Sequence, residues 1–229
     1  MDSSPRRLAR AAGLLYLVNI LLGAFGIGVV PAMLVVSGDP AATAHNIQAH
    51  EVLYRLGLTA QVAECATNIP LAVIFYDLFK VVNRRLALLV VFFTLVGTAV
   101  AAAGLITQFA PTLASLSGDV STTTYSVTEV FFGFYALCLG YLVLRSTFLP
   151  GFIGVLLAID GVAYLVYSFA DLVAPGFAAH LVPWIQLPVL PSEGLLCVWL
   201  LVAGVNVERW WGRARTAVKE SPTPMEVPA

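Results

Sequence analysis

Six long apolar runs, separated by short polar segments, leave this chain few ways to fold. A helix needs ~20 apolar residues to cross the hydrocarbon core of a bilayer. With no water there to satisfy its backbone, an open segment at that depth must be helical. The expected fold is therefore all-α: a polytopic membrane bundle of six transmembrane helices. The 229 residues are 59% hydrophobic and 11% charged, which excludes an ordinary soluble domain. A net charge of −1 offers no basic surface, so no nucleic-acid partner is expected. The bilayer is the expected surroundings.

The second run, Val52 to Lys80, carries Glu64 well inside it, with Gln61 and Asn68 at helical spacing on the same face. A carboxylate at that depth costs roughly 2.5–3.5 kcal/mol on insertion scales, and an ionisable group kept there usually has a use or a partner. The feature recurs. Glu64, Glu129 and Glu193 each lie sixteen residues before a basic residue, Lys80, Arg145 and Arg209. At ~1.5 Å per residue the three glutamates sit ~24 Å from the basic edge, in one layer of the bundle.

Charge sets the expected orientation. Eleven of the twelve Lys and Arg residues fall in the amino-terminal arm, the even-numbered loops or the carboxy-terminal tail; Arg55 alone lies on the other side. Positive loops stay inside, so both termini are expected in the cytoplasm and the protein in the plasma membrane. The organisation reads as a basic arm (1–10), a six-helix membrane domain (11–208), and an anchor and disordered tail (209–229). Arg209, Trp210, Trp211, Arg213 and Arg215 form the expected interfacial anchor. A cleaved leader is not expected, because the first apolar run is too long for a signal core.

The loops carry local expectations. Asp39 or Thr43 is expected to cap a short surface helix in segment 37–51. His45 and His50 lie poorly for one helical face, so the solvated-loop reading is preferred to a metal site. Glu51 and Arg55 have the spacing of an exposed ion pair. Segments 111–124 and 174–187 read as external loops, and the sixth span as 188–207. Pro31 is expected to bend the first helix and Pro70 to open the second near Glu64. Small residues near the glutamate layer (Gly23, Gly26 and Ala101 to Gly104) read first as close helix packing, second as room for a ligand.

Several short stretches carry a resemblance: Phe131-Phe132-Gly133, Leu139-Gly140-Tyr141-Leu142, Arg145-Ser146, Leu149-Pro150 and Gly154-Val155-Leu156-Leu157. With Ala11-Gly13-Leu14-Tyr16, Arg55-Leu56-Gly57, Val82-Asn83 and Glu193 ahead of Trp199 and Gly204-Val205, they follow one collinear pattern. In it the chain resembles a bacterial six-helix membrane family, domain of unknown function 4386. The resemblance implies the topology and no activity. Arg55, Tyr164 and Glu193 have counterparts in that pattern, whereas Glu64, Glu129 and Asp160 depart from it toward more acid.

The fifth span adds a stripe of Asp160, Tyr164, Tyr167, Ser168 and Asp171. Carboxyl groups sharing a poorly hydrated cavity cannot all ionise, and a protonated acid beside an ionised one can do general acid and base work. The candidate catalytic residues are Glu64, Asp160, Glu129 and Glu193. The candidate substrate-binding residues are Gln61, Asn68, Phe132, Tyr135, Tyr164 and Tyr167, with Phe75, Phe131 and Phe134 as further aromatic faces. The expected substrate is a lipophilic small molecule of isoprenoid or lipid type, and the expected reaction a cyclisation or isomerisation. Two alternatives stay open. One is proton-coupled export of a hydrophobic compound, which in six helices without clear inverted repeats would call for a homo-oligomer. The other is a non-catalytic membrane partner or regulator, its acids bonded to neighbouring helices. No metalloprotease, phosphate-loop or Asp-rich diphosphate motif is present, so no metal ligand and no cofactor is expected.

Overall fold

A computed structural model describes residues 4–109 and 117–219, and every regular element in them is helical. In chain order these are α1 (5–34), α2 (Pro40–Ala49), α3 (Glu51–Phe79), α4 (Arg84–Phe109), α5 (Ser117–Ser146), α6 (Gly151–Val173), α7 (Pro175–Leu181), α8 (Val189–Val202) and α9 (Val207–Lys219). Five of them, α1 and α3 to α6, are long and apolar enough to cross a membrane. The pair α8 and α9, bent by 101°, makes a sixth if counted as one span.

The helix boundaries follow local chemistry. Pro5 opens α1, where its missing N–H costs nothing. Arg6, Arg7 and Arg10 therefore ride on the first turns of α1 instead of forming a separate arm. Asp39 caps α2, its carboxylate accepting from Ala42 N at 2.9 Å. Asn83 and Asn206 do the same for α4 and α9, accepting from Leu86 N and Arg209 N at 3.1 Å.

Several expected boundaries move. α5 already runs from Ser117, inside the segment expected to be a loop; residues 110–116 and the tail from 220 lie outside the described residues. The expected loop 174–187 holds α7 and a short 3-10 turn, Trp184–Gln186. The sixth span ends early. Gly204 takes φ +68, and its N–H joins that of Ala203 on Trp199 O at 2.9 Å, a helix stop that glycine tolerates best. Pro70 does not open α3, which stays helical from Glu51 to Phe79. Ahead of Pro31 the backbone widens into a π turn, Ala24–Val29, in which Val30 N reaches back to Phe25 O.

The six long helices form a closed ring. Each of α1, α3, α4, α5, α6 and α8 packs on the next, and α8 returns to α1. Glycines set the closest approaches. A Cβ on Gly154 would lie 2.6 Å from Gly140 O, and one on Gly140 2.8 Å from Gly154 O. One heptad away, Gly161 would meet Gly133 O at 2.8 Å and Gly133 would meet Gly161 O at 3.1 Å. These reciprocal pairs fix α5 and α6 as antiparallel neighbours with backbones in contact, the small-residue packing that membrane helices use. Gly13 plays the same part between α1 and α8, since its Cβ would meet Leu201 N at 2.6 Å.

One end of the ring is basic, and α9 seals it. Trp210 is buried there and donates from Nε1 to Leu78 O at 2.9 Å. Arg209 and Arg213 donate to Thr147 O and Arg145 O at 3.1 and 2.8 Å. Trp210 is thus part of the core, not the interfacial anchor expected for it; Trp211 is exposed. The outer surface of the ring is apolar, with Leu14, Leu21, Phe92, Ile159 and Val198 all exposed, as lipid contact requires.

Gly154→Ala is expected to push α5 and α6 apart and to cost roughly 1–3 kcal/mol, the usual range for overpacking. Gly194→Ala, where an added Cβ meets nothing within 4 Å, is the control and is expected to leave stability unchanged. Denaturant unfolding of the detergent-solubilised protein compares the two.

Candidate functional site

The ring encloses a cavity of about 210 Å³ to which all six long helices contribute. From α1 come Tyr16 and Asn19; from α3 Gln61, Glu64, Cys65, Asn68 and Phe75; from α4 Thr94, Ala101, Gly104 and Gln108. From α5 come Tyr125, Thr128, Glu129, Phe132 and Tyr135, from α6 Tyr164, and from α8 Glu193. Glu64, Glu129 and Glu193, on three different helices, line one space.

Antiparallel packing of α1 on α3 holds the first carboxylate. Asn19 Nδ2 reaches Glu64 O at 3.1 Å, Thr67 Oγ1 at 2.9 Å and Asn68 Oδ1 at 3.1 Å. One turn further along α1, Gly23 faces the Glu64 carboxyl group, and a Cβ there would lie 3.1 Å from Oε1. Beyond it Gln61 Nε2 donates to Gly26 O at 3.0 Å. That carbonyl lies in the π turn, where the ordinary ladder is interrupted. Gly23 therefore makes room for a functional group, while Gly26 brings helices together: a Cβ there would meet Gly57 O at 2.8 Å.

Two polar groups on the cavity wall lack partners. The Tyr16 hydroxyl and Glu129 Oε2 make no hydrogen bond of ordinary geometry, although the residues are only 3% and 4% exposed; Glu193 and Tyr135 lie near the first, and Tyr125 and Ser168 near the Glu129 carboxyl group. Buried polar atoms are nearly always satisfied, so an orphan facing a cavity needs an explanation such as a water or a ligand. Tyr16 Oη lies within electrostatic reach of Glu193, Tyr135 and Tyr164, and packs its ring edge-on to Phe75 at 6.0 Å.

Asp160 sits differently from the glutamates. It is fully buried and is not among the residues lining the cavity. Its Oδ2 lies 2.9 Å from Ser192 Oγ, on the residue before Glu193, and its Oδ1 has no partner. Ser192 Oγ is also 2.9 Å from Val189 O, so its single proton serves one acceptor at a time. The stripe on α6 divides accordingly. Tyr164 lines the cavity, Ser168 donates to Tyr164 O at 2.7 Å, and Asp171 accepts from Ser126 of α5. Tyr167 is half-buried and lies off the cavity wall.

Of the expected substrate-binding residues, Gln61, Asn68, Phe132, Tyr135 and Tyr164 line the cavity and Tyr167 does not. Among the further aromatics Phe75 lines it, whereas Phe134 stacks on Phe93 at 5.4 Å, partly exposed on the outside of the ring. The sequence reading missed Tyr16 and Asn19. Their signal was present: Asn19 is the one strongly polar side chain between Arg10 and Asp39, and Tyr16 lies three residues before it.

A second cavity of about 200 Å³ lies beside the first, lined by Val30, Pro31, Leu34, Ile47, Tyr54 and others. The two cavities share Gln61 and Gln108 as wall residues.

Ser192→Ala is expected to leave both Asp160 oxygens without a protein donor and to cost about 1–3 kcal/mol, the price of an unsatisfied buried group. Adding Asp160→Leu should recover much of that loss, because removing both partners is nearly neutral. Thermal unfolding of the single and double variants measures the coupling.

No curated protein and no solved structure matches the chain. A family model described as domain of unknown function DUF4386 matches residues 11–204, which span every helix that lines the cavity. The chain belongs to that family.

Proposed function

We propose that this is a multi-pass protein of the plasma membrane, both termini cytoplasmic, whose intramembrane cavity does general acid and base chemistry on a lipophilic small molecule. One observation carries the reading: three carboxyl groups from three separate helices line a single cavity inside an apolar ring. Acids crowded in one poorly hydrated space share protons unequally, so one donates where another accepts. Glu64, Glu129 and Glu193 are the proposed acid and base groups. Asp160, behind the wall and beside Ser192, acts as a positioning residue for Glu193. Gln61, Asn68 and the aromatic wall would orient the substrate, and proton transfer without a leaving group fits isomerisation or cyclisation.

Export is the second reading, and the neighbouring cavity favours it. Two spaces share Gln61 and Gln108 as a common wall, and movement of these side chains would pass a ligand from one to the other. Proteoliposomes with an imposed proton gradient distinguish the two readings, since a transporter moves its compound unchanged.

The test of the enzymatic reading compares lipophilic extracts from cells carrying the wild-type gene, a deletion, or Glu193→Gln. One compound should fall and an isomer of equal mass rise only with the wild type. Extracts that do not differ between wild type and Glu193→Gln, with the variant inserted at normal levels, would overturn it.

A further inference from the structure

The wall of the main cavity is chemically one-sided. It carries three acids, and none of its lining residues is Lys, Arg or His. The basic residues gather at the sealed end of the ring, around α9, or sit on the exposed first turns of α3, where Arg55 pairs with Glu51. An anion entering this space would meet acids without a countercharge, whereas a cation would find its partner already in place. The three glutamates do not converge as metal ligands: no group of three His, Cys, Asp or Glu among the described residues is placed to hold a metal ion.

The orphaned atoms narrow the choice. Glu129 Oε2 is an acceptor with no donor at hydrogen-bonding geometry, and the Tyr16 hydroxyl, beside Glu193 and Tyr135, makes no bond of ordinary geometry, both on the same wall. A ligand that satisfies both carries an N–H or O–H. Phe75, Phe132, Tyr135 and Tyr164 on the wall offer aromatic faces to a cationic head and its apolar body. The space of about 210 Å³ is larger than the ~150 Å³ engineered cavity that admits benzene, so a one-ring ligand with a short polar arm fits.

We infer that the cavity binds a small lipophilic amine in its protonated form, the ammonium N–H donating to Glu129 and the apolar body packed on the aromatic wall. The inference rests on the cavity being a small-molecule site, as proposed above, and adds the class of ligand. It explains together the acids, the absence of bases on the wall and the two unpaired groups. A quaternary ammonium has the charge but no N–H, and a neutral alcohol has the donor but no charge. Both should bind less well than the amine.

Four probes of similar size test this: benzylamine, benzyltrimethylammonium, benzyl alcohol and benzoate. Each is titrated against the full chain in phosphatidylcholine nanodiscs, with empty nanodiscs as the blank and heat or saturation-transfer signal as the readout. Benzylamine should bind about tenfold or more tightly than benzyl alcohol, as expected of a hydrogen bond to a charged group. Benzyltrimethylammonium should fall between them, and benzoate should not bind. Glu129→Gln should bring benzylamine down to the level of benzyl alcohol and so abolish the difference between the two. The series on the unmutated protein decides the matter even if that variant does not fold. Alcohol or benzoate binding as well as the amine would overturn the charge preference and leave the cavity reading standing. If none of the four binds above the blank, both fall.

Discussion

Helices already surrounded by lipid gain little apolar burial by meeting one another. What holds this ring together must therefore come from close packing and from polar groups that find partners. The chain uses both. The reciprocal glycines of α5 and α6 let two backbones touch at points one heptad apart. On the opposite side of the ring the drive is polar: the Asn19 amide is placed against three acceptors of α3, and Gln61 answers a carbonyl exposed by the π turn of α1. A tight seam and a hydrogen-bonded seam thus face each other across the ring. The central space lies between them, lined from both sides.

That arrangement explains why much of the fold was legible in the residues. Apolar runs of bilayer length mark the long helices, and the sixteen residues from Glu64 to Lys80 and from Glu129 to Arg145 run along unbroken helix, whereas those from Glu193 to Arg209 cross the turn after Val202. All three do line one space. Height is a one-dimensional quantity that a fixed rise per residue delivers. Azimuth is not, and there the reading went astray. Tyr167, three residues beyond Tyr164, turns away from the wall, and Asp160 is held by Ser192 behind it. Tyr16 entered only through the family pattern and Asn19 not at all, because a single polar residue in a long apolar run has no periodicity to announce it as part of a site.

The sixth span shows a different limit. Composition favoured one helix over 188–207, yet Gly204 adopts a left-handed conformation and the chain turns sharply into α9. What rewards the turn lies far away in sequence: the open carbonyls of Leu78, Arg145 and Thr147, at the ends of other helices, which Trp210, Arg213 and Arg209 reach only from the turned position. A local reading sees basic and aromatic residues beside a membrane and names an anchor. The tertiary structure uses the same residues as a clasp.

Ring closure by α8 on α1 also has a consequence in time. Chains enter membranes from the amino terminus, so α1 and α3 to α6 emerge from the ribosome before the helix that completes the circle. Until then Gly13 lacks its neighbour Leu201, and Glu193, the third acid, has not arrived. The acids share one wall only once α8 is in place, and α9 then latches the ends of α3 and α5 beneath it.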